Sequence, residues 1–189
     1  MIEACIQNQL CLVRALLDCG EDIDAYDGCI YTPLSTACAS RNDEIVKLLI
    51  ERGADVNKPT FSGFRPIHYA CEMNSIECVR LLLDAGAEMN CGVNLCNITP
   101  LYLAVTSFSE EIVKELIDRG AIVNTFDVSG YTPLSWARYW HAIRLGGPGI
   151  IERIICLLEN AGGIGNDILS ENRCWGCFRR GERGYEKLF

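Results

Sequence analysis

The chain has 189 residues, 49% hydrophobic and 22% charged, a balance that excludes a disordered polymer. Its 25 acidic and 17 basic residues give a net charge of −8, which argues against nucleic acid and anionic lipid as partners, because both call for a basic patch. No apolar run approaches the roughly 18 residues of a membrane helix, and the first 20 residues lack the basic-then-apolar layout of a secretory leader, so a cytoplasmic location is expected, with the nucleus also open.

Two markers recur in phase along the chain. Tyr31-Thr32-Pro33-Leu34, Phe64-Arg65-Pro66-Ile67, Ile98-Thr99-Pro100-Leu101 and Tyr131-Thr132-Pro133-Leu134 set their prolines 33, 34 and 33 residues apart. Gly20, Gly53, Gly86 and Gly120 are spaced 33, 33 and 34. A fixed period of this length is the signature of a repeat array.

The first unit, about residues 1–26, starts inside its own first helix. Met1 stands where Leu34 stands, and the Thr-Pro turn is missing. That start fits a module cut from a longer chain. The second unit, 27–59, shows the full physics. Thr32 offers a cap hydroxyl and Pro33 suits the first helical position. Leu34, Ala37 and Cys38 give a short helix with a small-residue face, and Asn42 or Asp43 is placed to cap a second helix. Ile45, Val46, Leu48 and Leu49 form its buried stripe, which Gly53 ends at a position suited to positive φ. The third unit, 60–93, repeats this with Arg65 in place of the capping Thr. The fourth, 94–126, has one extra residue near Cys91-Gly92-Val93-Asn94. The fifth, 127–166, closes on Leu157, Leu158 and Gly162 and carries nine extra residues around 145–149, between its helices. Residues 167–189 fall outside the pattern and are expected to form a cap or tail.

The segments TPLSTACASRNDEIVKLLIERGADVN and RPIHYACEMNSIECVRLLLDAGAEMN resemble the ankyrin repeat, and the resemblance extends over residues 1 to about 166. It implies an all-α fold, an ankyrin-repeat solenoid of about five helix-turn-helix repeats linked by β-turn fingers. One helix pair cannot bury its apolar face alone, whereas stacked neighbours can.

Twelve cysteines raise the question of disulfides. Cys5, Cys38 and Cys71 share one repeat position, just after Ala4, Ala37 and Ala70, where small residues are needed for close helix packing. Equivalent positions in stacked repeats lie about 10 Å apart, too far for the roughly 7 Å Cα separation a disulfide tolerates. Reduced, packing cysteines are therefore expected. Cys174-Trp175-Gly176-Cys177 is a lone CxxC. Zinc wants four ligands, and the only histidines are His68 and His141. His68 with Cys71 sits at packing positions. Asn97-Ile98-Thr99 is a chance sequon, since Thr99 caps a helix. No phosphate loop, HExxH or GxSxG is present. No catalytic residue, metal or cofactor is expected.

The resemblance also implies where a partner binds. In ankyrin arrays the finger tips and first helices line a concave groove. Carried over position by position, the groove residues are Tyr31, Phe61, Phe64, Met73, Ile98, Tyr131, Tyr139 and Trp140, with Glu72 beside Met73. Phe64 is the one most expected to turn inward. Aromatic residues on an exposed patch mark interaction sites. The expected function is a protein-protein interaction scaffold or adaptor, a monomer that binds another protein or peptide. The alternatives are a regulatory ankyrin module of a larger enzyme, channel or ligase-receptor chain and, on the CxxC alone, a metal- or redox-active protein.

Overall fold

The structure, a computed structural model, describes residues 1–26, 31–93, 97–143 and 149–166. Within them the chain forms five successive helix pairs: α1 (Ile2–Ile6) with α2 (Leu10–Asp18), α3 (Pro33–Ala39) with α4 (Asp43–Glu51), α5 (Pro66–Glu72) with α6 (Ile76–Asp84), α7 (Pro100–Thr106) with α8 (Glu110–Asp118), and α9 (Pro133–Ala142) with α10 (Ile150–Asn160). The described residues contain no β-strand, only one isolated antiparallel bridge between Val93 and Ile98 in a finger. First helices stack on first helices, α1 to α3 to α5 to α7 to α9, and second helices form a parallel layer behind them.

The local causes are those of a repeated sequence. Thr32, Thr99 and Thr132 accept the backbone N–H three residues on, at 3.1, 3.2 and 3.2 Å, and proline follows each at the first helical position. Each short first helix turns into its partner through a left-handed residue: Asn8, Arg41, Asn74 and Phe108 all have φ between 50 and 57°. Each second helix ends on a glycine with φ near 90°. A Cβ on Gly53 would meet nothing within 4 Å, so the backbone conformation, not space, selects glycine there. Asn42 is a correction to the sequence expectation. Its side chain makes no cap bond and instead donates to the Cys5 carbonyl at 2.6 Å, tying repeat two to repeat one.

The core runs the length of the stack. Leu34, Ile67, Leu101 and Leu134 of the first helices and Leu49, Leu82, Leu116 and Leu158 of the second are all within 1% of full burial. A hydrogen-bonded ladder joins the fingers. Asp24, Asn57, Asn90 and Asn124 each accept a backbone N–H from the next unit, from Asp55 (3.2 Å), Glu88 (2.8 Å), Ile122 (2.9 Å) and Ile164 (2.7 Å). On the far face of the fifth unit, Arg138 pairs with Glu159 at 2.7 Å. They occupy the positions of Cys38, Cys71 and Val105 and of Ile50, Leu83 and Ile117 in the units before. The extra residues of the fifth unit begin by lengthening α9, which has ten residues where α3, α5 and α7 have seven. Positions 144–148 of that insertion and the proposed cap at 167–189, with its CxxC, lie outside the described residues.

Candidate partner-binding surface

Each central first helix is enclosed on three sides. Helix α5 has α3 and α7 beside it and α6 behind it, and six of its seven residues are buried. The free side is read from what remains open. On α5 that is Glu72, with Met73 just after it, both half-buried. On α9 Trp136 and Tyr139 are half-buried, and Arg138, His141 and Ala142 are exposed. The fingers add Tyr31 and Ile98, half-buried, and Phe61, which is 79% exposed and packs edge-on to Tyr26 at 5.4 Å. Lys58 Nζ lies 4.8 Å over the same Tyr26 ring.

Three of the residues expected at the groove are not on offer to a partner. Phe64 is 6% exposed, wedged between the rings of His68 (5.4 Å) and Tyr69 (5.7 Å). Tyr131 is 2% exposed, with its ring edge-on to Trp136. Trp140 is 4% exposed, stacked on Trp136 and edge-on to Phe108 of the preceding unit. Phe64 and Tyr131 fold onto rings of their own units, and Trp140 fills the space against Phe108 of the preceding unit, so each apolar ring goes inward rather than outward to water. The aliphatic stripes alone do not complete the core.

Trp136 is the residue the sequence reasoning missed. It touches Tyr102 (6.3 Å), Tyr131, Tyr139 (5.8 Å) and Trp140, and its indole N–H donates to Asp127 Oδ2 at 2.8 Å. The other oxygen of Asp127 accepts the N–H groups of Ser129 and Tyr131 and so shapes the finger. The signal was in the repeat: Trp136 stands at the position of Tyr69, and Tyr69 pairs with Tyr31 across the same side of the stack at 5.7 Å.

The electrostatics differ between the two sides. On the outer helices Arg80 bonds Glu77, Glu111 and Glu115, and Arg119 bonds Glu115 and Asp84, all within 3.1 Å. On α5 Glu72 is half-buried, and burial pushes its carboxyl above the usual carboxylate range. Burial likewise raises the Tyr69 phenol, with its bonds to Thr60 and Ser62 opposing. Among the described residues no group of three or more His, Cys, Asp and Glu is arranged to hold a metal ion, and no helix is long and apolar enough to cross a membrane.

Residues 1–93 match the family model described as ankyrin repeats in three copies, and residues 96–128 match the model of the single ankyrin repeat. The chain belongs to the ankyrin repeat family. Ankyrin repeats are in general protein-protein interaction modules and are typically non-catalytic. No curated protein matches the chain. Beyond the ankyrin match, the α9–α10 pair packs on α7 and α8 as the earlier pairs pack on one another.

Proposed function

We propose that this ankyrin array is a scaffold or adaptor that holds a segment of another protein along the free side of its first helices. The observation that carries this is the pair Trp136 and Tyr139. Both are large aromatic side chains that stay half-buried on a helix whose other large apolar residues, Leu134 and Trp140, are buried. An aromatic ring left partly wet and fixed by its neighbours loses little conformational freedom on binding, which is why such rings anchor interfaces. Phe61, Tyr31, Met73 and Ile98 extend the same apolar character across repeats two to four. A surface of two or three repeats supplies the roughly 800 Å² per partner of a standard interface.

The test is proximity labelling in cells with the full chain and with a Tyr139→Ala, Met73→Ala double variant. A reproducible set of labelled proteins that disappears in the variant, with its helical circular dichroism unchanged, supports the reading. An identical set from both chains rejects it.

A further inference from the structure

We propose that the segment held on this surface presents a guanidinium or ammonium group to Glu72, flanked by apolar side chains. This rests on the groove reading above and adds the chemistry of the partner.

The first observation is placement. Glu72, the last residue of α5, is the one residue of that helix that is not buried, although α3, α6 and α7 all pack against the helix. Its backbone carbonyl accepts the Ser107 hydroxyl at 3.0 Å, which locks that end of α5 to the next unit. The carboxyl is therefore carried by an anchored stretch of backbone.

The second is that no described residue neutralises it. Every ion pair among the described residues involves other carboxylates. Its counterparts on the stacked first helices are Ala39, Thr106 and Tyr139, all neutral, so the repeat supplies no cation beside it. Partial desolvation penalises the charge, as its raised pKa reflects. A cation brought by a partner removes that penalty and gains a charge-assisted hydrogen bond.

The third is the surroundings. Tyr69 lies close enough for the charge of Glu72 to oppose ionisation of its phenol, Tyr31 stands edge-on to Tyr69, and Met73 follows Glu72 in sequence. Tyr69 is buried, so Tyr31, half-buried, is the ring of this pair that stays partly exposed to a partner. An aromatic ring on the same surface as a carboxylate suits a planar guanidinium, which can stack and bond together. The wider charge agrees. Of the 25 acidic and 17 basic residues, four and five fall in 167–189, so residues 1–166 hold 21 acidic against 12 basic. An array of that sign attracts a cationic segment and repels an acidic one.

The experiment is selection of a random dodecapeptide library on the full chain and, in parallel, on its Glu72→Gln variant, which keeps shape and removes charge. Peptides selected on the parent chain are expected to share a fixed Arg or Lys. The best of them should bind the variant about tenfold more weakly, the size of one charge-assisted bond in a half-open site. Replacing the peptide's cation by Gln should cost as much on the parent chain and little more on the variant. Selected peptides without a fixed cation, or equal affinity for both chains, overturn the proposal. If such peptides still weaken with Tyr139→Ala, the groove reading stands and only the cation is wrong; if they do not, the groove reading falls as well. Alanine at Arg179, Arg180 and Arg183 is expected to leave peptide affinity unchanged. A tenfold rise would mean that the chain's own C-terminal segment sits on Glu72, which overturns recognition of a separate partner.

Discussion

The indole rings of Trp136 and Trp140 stack with their centroids 5.4 Å apart and their planes 30° from parallel. One ring of the pair is half-buried at the surface and the other is inside. Through Tyr102 and Phe108 the pair also clamps repeat five to repeat four.

Trp140→Ala should therefore act on stability. Removing a buried tryptophan side chain costs about 3–5 kcal/mol. A urea titration followed by circular dichroism should show the transition moved to clearly lower denaturant. Tyr139→Ala, one residue away and half-buried, should cost less than about 1 kcal/mol. Equal midpoints for the parent chain and Trp140→Ala would contradict the packing described here.

Stability should fall on mild acidification because of His68. The ring is fully buried. Its Nδ1 accepts the Arg65 N–H at 3.1 Å and its Nε2 lies 3.1 Å from the Cys91 carbonyl. Burial, outweighing those bonds, pushes its pKa down to about 4 from 6.5. Between those values the unfolded chain binds a proton that the folded chain refuses. Stability is thus complete above pH 6.5 and is lost as the pH falls toward 4. The loss from this residue between pH 6.5 and 5 is about 2 kcal/mol. His68→Ser, the residue found at Ser35 and Ser135, should be less stable at pH 7.5 but lose the slope. An unchanged slope in that variant would show that another group carries the effect.

Replacing Arg65 by threonine separates two small terms. Arginine has no acceptor, and its side chain makes no cap bond. The amide that threonine would cap already bonds the Arg65 carbonyl at 2.9 Å, and the guanidinium pairs with Glu88. The cap gain of roughly 0.5–2 kcal/mol is therefore offset by a part-exposed ion pair worth up to about 1 kcal/mol. Arg65→Thr should stabilise by less than about 1 kcal/mol in the parent chain and by more in a Glu88→Gln background. A larger gain in the parent than in that background would refute the accounting.

The cysteines should separate by burial. Among the described residues all eight are free thiols, with Cys11, Cys19 and Cys156 exposed and Cys5, Cys38, Cys71 and Cys78 buried. Burial pushes the Cys5 thiol up to about 11 and raises Cys38 and Cys71 as well. Thiolate is the reactive form, so brief alkylation of the native protein should label the three exposed cysteines and spare Cys5, Cys38 and Cys71, whereas Cys78, whose thiol the hydrogen bond with Cys38 lowers, is spared by its burial alone. Peptide mapping that finds Cys38 or Cys71 labelled as fast as Cys156 would contradict this.

The repeat, its phase and the stacking were legible in the sequence because they depend on local rules. Threonine before proline caps a helix, glycine takes a left-handed turn, and a period of about 33 residues brings equivalent leucines into one core. The groove was legible only as a set of positions. Which side chains at those positions face a partner depends on volume balance between neighbouring units, and no single repeat contains that information. Phe64 and Tyr131 are drawn onto rings of their own units, and Trp140 into the space against Phe108 of the unit before, because close packing leaves no void there. Trp136 and Tyr139 stay at the surface because that space is then full. Glu72 was readable as a residue of the groove. Its lack of a counter-ion among the described residues was not, since pairing across units 31 to 43 residues apart, as in Arg80 with Glu111 and Arg153 with Glu110, is decided only when the helices stack.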